Sequence, residues 1–177
     1  MLNQDIINAE MLTHVALCTH KDPKDIFILG SHDYINSEIA RHNGLRVDLC
    51  DSVSCIESAK DNSFDVIIVN SDRYFEPIFV AQVNRVLRQD GLVVLKVNDD
   101  LKTPLGNFGS LFGIVMTYKV EDRRAIIATK KYHPTADIIL QRADLLEDLS
   151  YYNAEVHLAS FALPTYLRKD LLGIQKN

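Results

Sequence analysis

The sequence predicts an α/β chain, with a mostly parallel sheet, helices on both faces and a C-terminal antiparallel hairpin. Three observations predict it. Strand-like segments recur at 26–30, 45–50, 64–69 and 92–97, and those at 64–69 and 92–97 lack the alternation of a half-exposed strand, as strands covered on both faces should. Segments with helical spacing separate these runs, which calls for crossover connections and parallel neighbours. After Gly113 the pattern changes to two β-type runs, 114–120 and 125–129, flanking the charged turn Glu121-Asp122-Arg123-Arg124.

Each element has its own signal. Residues 6–18 carry apolar side chains at Ile6, Ile7, Met11, Leu12, Val15 and Ala16, a helical stripe. Pro23 follows a Lys-Asp turn, and the strand at 26–30 stops sharply at Gly30. A helix is expected over 34–42, a turn at Asn43-Gly44, a strand over 45–50 ending at Asp51, and a helix over 52–60. The strand at 64–69 is the clearest of all. An amphipathic helix over 76–87 follows, with Ile78, Phe79, Val83, Val86 and Leu87 on one side and Asp90-Gly91 as its stop. A helix over 136–149 and a tail rich in Tyr and His complete the chain.

Composition narrows the function classes. The 177 residues suit one domain spanning 1–177, and 47% apolar residues allow a real core. A net charge of −5 argues against nucleic acid or an anionic membrane as the main partner. Cys18, Cys50 and Cys55 are odd in number, lack metal-ligand spacing and suit a reducing compartment. The first residues show neither a basic nor an apolar leader region, and no apolar run reaches membrane-spanning length, so a cytoplasmic location is expected.

In open parallel sheets, ligands sit beyond the carboxyl ends of the strands. That rule places Gly30 to Asp33, Asp51, and Asn70-Ser71-Asp72 along one rim. An acid after a second strand can accept hydrogen bonds from a ribose diol. Taken singly, Ser31, Asp51 or Asp72 could equally be a helix cap or turn former. The cluster argues more strongly than any member. The loop after the first strand holds one glycine rather than three, so it is not a dinucleotide fingerprint.

Two longer segments point to a family. Residues 10–24, EMLTHVALCTHKDPK, resemble the QEMLxHxPLxxHPxPK helix and turn of spermidine synthases. Residues 151–164, YYNAEVHLASFALP, resemble that family's YYNxxxHxAAFxLP close. Between them, FDVII at 64–68 and the LxxDG pattern at 87–91 match in order, although both recur across methyltransferase-like domains. The resemblance spans nearly the whole chain. It implies a methyltransferase-like (Rossmann-like) fold and a transferase of polyamine biosynthesis, an aminopropyltransferase with decarboxylated S-adenosylmethionine as co-substrate. Putrescine would attack the aminopropyl carbon and displace methylthioadenosine, with no metal required because the sulfonium is already a good leaving group. The small-molecule partners it implies are these two substrates. A homodimer stays open.

The departures from the family pattern lie at the chemistry. GGGDGG becomes Gly30-Ser31-His32-Asp33-Tyr34-Ile35, in which Asp33 keeps the register of the family aspartate that holds the aminopropyl amine. The tyrosine-glutamine pair before the glutamate becomes Asn8-Ala9, removing a polyamine contact and a nucleoside contact. DSSD becomes Asn70-Ser71-Asp72-Arg73, so an amide replaces the expected proton acceptor and Asp72 is the nearest carboxylate. The late substrate loop shrinks to 119–124, and Leu158 stands where the tail has an arginine. The tail itself reads as packing. About one βα unit is missing between Gly30 and Phe64. By wording, Asp51 resembles the family's adenine acid. By topology, loss of an edge strand would make it the ribose acid, and topology is preferred because deleting an internal strand would break two ladders.

The resulting expectation is a divergent aminopropyltransferase with Asp72 and Asn70 at the chemistry and with Gly30, Asp33, Asp51 and Ser71 as ligand contacts. The rival is a non-catalytic family member that keeps the fold for nucleoside binding or assembly.

Overall fold

The computed structural model describes residues 2–30 and 32–177, so Ser31, named above as a rim residue, lies outside the described residues, as does Met1. The elements run α1 (Gln4–Thr19), β1 (Asp25–Leu29), α2 (Asp33–Ile39), β2 (Arg46–Cys50), α3 (Ser54–Ser58), β3 (Phe64–Val69), α4 (Pro77–Val86) and β4 (Leu87–Val97). They continue with α5 (Lys102–Gly109), β5 (Ile114–Val120), β6 (Arg123–Thr129), α6 (Leu140–Asp144), α7 (Ala154–Ser160) and α8 (Thr165–Asp170). The strands form one sheet in the order β2-β1-β3-β4-β6-β5. The pairs β1–β2, β1–β3 and β3–β4 are parallel, whereas β4–β6 and β5–β6 are antiparallel. The expected parallel core and closing hairpin are both present.

All six residues of β3 are buried, because helices cover both faces of the sheet. One layer packs α1, α2, α7 and the tail against Ile26, Ile28, Val66, Ile68 and Val94. The other packs α3, α4, α5 and α8 against Phe27, Leu29, Ile67, Val69 and Leu95. Each such aliphatic side chain contributes about 1.5–3 kcal/mol on burial. Helix α1 is buried from Ile7 through Thr19, more completely than an amphipathic stripe requires, because the sheet, α2, α6 and the tail enclose it.

Strand β2 is the edge strand, beside β1, and its side chains are largely exposed. That order leaves a single strand outside β1. It also places Asp51 immediately after the strand adjoining β1.

Four expectations need correction. The helix expected over 52–60 is only α3, five residues long. The helix expected over 136–149 is only α6, also five residues. There the flanking chain bonds to the end of α1: the Ile139 amide donates to Cys18 O (2.8 Å), and the Arg142 guanidinium donates to the carbonyls of Leu17, His20 and Lys21. Those partners replace the i−4 bonds of a longer helix.

The third correction is at 87–91. Leu87 already belongs to β4 and pairs with Phe64, and the register then jumps to Val66–Leu92, leaving a bulge that holds Asp90 and Gly91. The carbonyls at the end of α4 are taken by other donors: Lys130 Nζ reaches Asn84 O and Leu87 O, and Ser63 N reaches Val86 O. A Cβ at Gly91 would meet Leu87 and the Arg88 carbonyl at 3.0–3.1 Å. The bulge therefore needs this glycine.

The fourth is chemical. Cys50 and Cys55 form a disulfide, and Cys18 is the free thiol, buried with its pKa pushed up to about 11 by desolvation. The cysteines therefore do not support the reducing compartment expected from their number. No helix among the described residues is long and apolar enough to cross a membrane.

Candidate functional site

Three parallel strands end side by side. The Gly30 amide donates to Cys50 O (2.9 Å) and the Asn70 amide donates to Leu29 O (2.9 Å), so the exits of β2, β1 and β3 are bonded together. Gly30 has φ +78°, and a Cβ there would stand 3.4 Å from the Asn70 carbonyl, so this turn specifically favours glycine. Gly30, Asp51 and Asn70 thus share one rim, as the sequence predicts. The disulfide closes residues 50–55 into a loop that carries Asp51 and Ser52.

Asp72 lies farther along the rim and lines a cavity of about 520 Å³. Asp99, Asp122, Arg123, Arg124 and Tyr166 also line it, so β4, the β5–β6 turn and α8 all contribute walls. Asp33 begins α2 and stands outside this lining; its carbonyl accepts from Ser37 Oγ (2.9 Å). Ser71 Oγ accepts from the Arg73 amide (3.3 Å), which realises the turn-forming role open to a polar residue there.

Sequence reasoning missed Lys96, Asp99, Arg123, Arg124 and Tyr166. The rule that selected Asn70 to Asp72 also applies after β4, where Asn98-Asp99-Asp100 leaves a buried strand. Lys96 is half-buried, and desolvation lowers its pKa, with Arg123 lowering it further and Asp5 and Asp72 opposing. The two arginines were read only as turn residues. Tyr166 lies in a part of the tail beyond the quoted motif.

The motifs carrying the resemblance do other work. The buried Glu10 carboxylate accepts from the amides of Ser150, Tyr151 and Tyr152 at 2.7–2.8 Å, joining α1 to the tail. His157 Nε2 donates to Pro134 O (2.9 Å), which leaves Nδ1 to accept from Tyr152 Oη (2.9 Å). His14 Nε2 donates to Glu38 (2.9 Å), and its Nδ1 lies 3.0 Å from His42 Nε2. The reading of the tail as packing fits these contacts.

His20, Asp65 and Asp90 come close enough to share a cation, but at the opposite end of the strands. Asp65 is already committed, accepting from the Lys24 and Asp25 amides and from Arg88. Burial alone would raise its pKa, and these donors hold it below the usual carboxylate range. His20 Nδ1 accepts from the Asp22 amide, which puts the proton of the neutral ring on Nε2, where a metal would have to bind. This junction is structural.

No family model matches the chain. It is 26% identical to the polyamine aminopropyltransferase of Helicobacter acinonychis, covering 93% of this chain and 76% of that protein. It is 24% identical to spermidine synthase 2 of Arabidopsis thaliana, covering 90% of this chain and 65% of that one. The first alignment runs over 204 positions, more than the chain's 177 residues, so gaps open within this chain, in keeping with its shortened form. A crystal structure of spermidine synthase with the transition-state analogue AdoDATO superposes with a TM-score of 0.84 at 22% identity, over 94% of this chain and 75% of that one. Spermidine synthase from Thermotoga maritima gives 0.83 at 24% identity, over 94% and 74%. The fold is therefore methyltransferase-like, and over nine-tenths of its length this chain is similar to the spermidine synthases, the polyamine aminopropyltransferases.

Proposed function

We propose that the chain transfers an aminopropyl group from decarboxylated S-adenosylmethionine to an amine acceptor, putrescine being the acceptor the relatives suggest. The observation that carries this reading is the rim itself, where Gly30, Asp51 and Asn70 close three adjoining strands beside a cavity that Asp72 lines. Asp51 accepts from the ribose hydroxyls, as its position after the strand next to β1 suits. Gly30 lets backbone approach the nucleoside, Asp33 holds the aminopropyl amine, and Ser71 shapes the turn between Asn70 and Asp72.

The acceptor nitrogen forms a bond to the aminopropyl carbon as the carbon–sulfur bond breaks. Its electron pair leaves on sulfur, giving neutral methylthioadenosine. The acceptor must arrive deprotonated or lose a proton, and an amide cannot take one, so Asn70 can only orient the nitrogen by accepting its hydrogen bond. Asp72 receives the proton. Positioning supplies the rest of the acceleration.

The test is release of methylthioadenosine from decarboxylated S-adenosylmethionine with and without an amine. We expect amine-dependent release, reduced ~10²-fold or more in Asp72→Asn. Release that survives loss of both Asp33 and Asp72 would remove the site assignment. Nucleoside binding without any transfer would leave a binding protein.

A further inference from the structure

The walls of this cavity carry charge of both signs, carboxylates at Asp72, Asp99 and Asp122 and guanidinium groups at Arg123 and Arg124. Beside it, a recess of about 30 Å³ lies between α1, β4 and the β5–β6 hairpin. Asp72 is the one carboxylate among its lining residues, whereas Lys96, Arg123 and Arg124 all line it. Asp72, Arg123 and Arg124 line the larger cavity as well, so the two spaces meet around them. Arg124 is held by register, since it opposes Val97 of β4 on one side and Lys119 of β5 on the other. Its Nη1 is buried and has no hydrogen-bond partner among the described residues. A buried guanidinium nitrogen left in that state is costly unless an acceptor completes it. Lys96 lies in the row after Leu95, which pairs with Val69, and so stands beside Asn70.

The charges therefore alternate across a short span, with Asp72, Asp99 and Asp122 set against Lys96, Arg123 and Arg124. A second ammonium placed near Arg124 would be repelled. A carboxylate there would give Nη1 its missing acceptor and make a charge-assisted pair. A volume of about 30 Å³ admits a terminal polar group rather than a length of chain.

Resting on the aminopropyl-transfer reading and deepening it, we propose that the acceptor is an ω-amino acid, an amine carrying a carboxylate, with its nitrogen at Asp72 and its carboxylate at Arg124 and Lys96. The bond changes are those already given. Only the far end of the acceptor differs.

Two probes of equal chain length test this, 4-aminobutanoate and putrescine. Methylthioadenosine release is followed with each at matched concentration, and binding of each is measured by calorimetry with methylthioadenosine present. The expected result is a tenfold or greater advantage of 4-aminobutanoate in kcat/KM and in affinity, lost in Arg124→Gln and reduced in Lys96→Met. Preference of the wild type for putrescine would overturn the inference and leave aminopropyl transfer standing. A preference for 4-aminobutanoate that Arg124→Gln leaves unchanged would overturn it too. Absence of transfer with either amine would remove the functional reading, and calorimetry would still decide which amine the recess binds. Tighter binding of 4-aminobutanoate that Arg124→Gln abolishes would support the recess, and no binding would overturn it. A third arm replaces the donor with S-adenosylmethionine. If that carboxylate-bearing donor is preferred while putrescine remains the better acceptor, the recess serves the donor and the inference falls.

Discussion

The junction between α1 and the tail and the rim beyond the strands have diverged very differently from the spermidine-synthase pattern. At the junction the family wording persists, and its polar residues are buried and paired: Glu10 with three amides, His157 with Tyr152 and Pro134, His14 with Glu38. At the rim, Asn70 stands where the resemblance leads to an aspartate, and Lys96, Arg123 and Arg124 stand round the cavity and its recess. The difference follows from what each region costs to change. Replacing a buried carboxylate that holds three amides by an apolar residue orphans them, whereas a rim residue faces solvent or ligand and can be exchanged. The most recognisable words of this sequence therefore specify its fold.

The comparison breaks first if Glu10 proves dispensable. Glu10→Ala removes an acceptor shared by the amides of Ser150, Tyr151 and Tyr152 and leaves the buried Tyr152 amide without its partner. We expect a loss of about 3–5 kcal/mol, read from urea unfolding. Glu10→Gln should recover part of it, because the amide oxygen can still accept. A midpoint unchanged in Glu10→Ala would show that the tail is held by its apolar contacts alone.

The same junction should sense acid. His157 is fully buried and donates to a carbonyl, and burial pushes its pKa down to about 4 despite the Pro134 carbonyl. The unfolded chain takes up that proton near the ordinary histidine value of about 6.5, so unfolding absorbs a proton throughout the window between. Stability from this group is full above pH ~6.5 and falls as pH drops, by about 2.5 kcal/mol between pH 7 and 4.5. His42, pushed down to about 3 by burial and by neighbouring His14, adds to the same trend. Unfolding free energies measured across that range should flatten in His157→Asn. An equal slope in the variant would place the acid sensitivity elsewhere.

Legibility in the sequence follows the same division. The four parallel strands, α1 and the closing hairpin were readable because burial on both faces writes itself as apolar runs. Helix α6 is shorter than the helical spacing over 136–149 suggests because the Ile139 amide and the Arg142 guanidinium bond instead to carbonyls at the end of α1, more than a hundred positions away. The bulge at Asp90-Gly91 was misread for a similar reason, since a turn signal cannot say whether the chain turns or only widens within a strand. At the rim, Gly30, Asp51 and Asn70 were found by the strand-end rule. Arg124 was not, because only the hairpin's register reveals where its guanidinium is held.

The smallest expected effect concerns the one rim segment that is covalently held. Asp51 follows β2 and lies within the loop that the Cys50–Cys55 disulfide closes. If it accepts from a ribose diol, Asp51→Ala should weaken methylthioadenosine binding roughly tenfold, the usual scale for a hydrogen bond to a charged group. The disulfide makes no ligand contact in that scheme. It only narrows the conformations the loop must give up on binding. Reduction, or Cys55→Ser, should therefore weaken binding less than Asp51→Ala does, by a few-fold. In the Asp51→Ala background, reduction should change almost nothing, because an ordered loop without its acceptor has nothing to present. Calorimetry on the four combinations reads this directly. Additive losses would mean that the disulfide acts on the nucleoside through another residue of the loop. A reduced wild type that binds as tightly as the oxidised one would show that β2 and α3 already hold Asp51 in place.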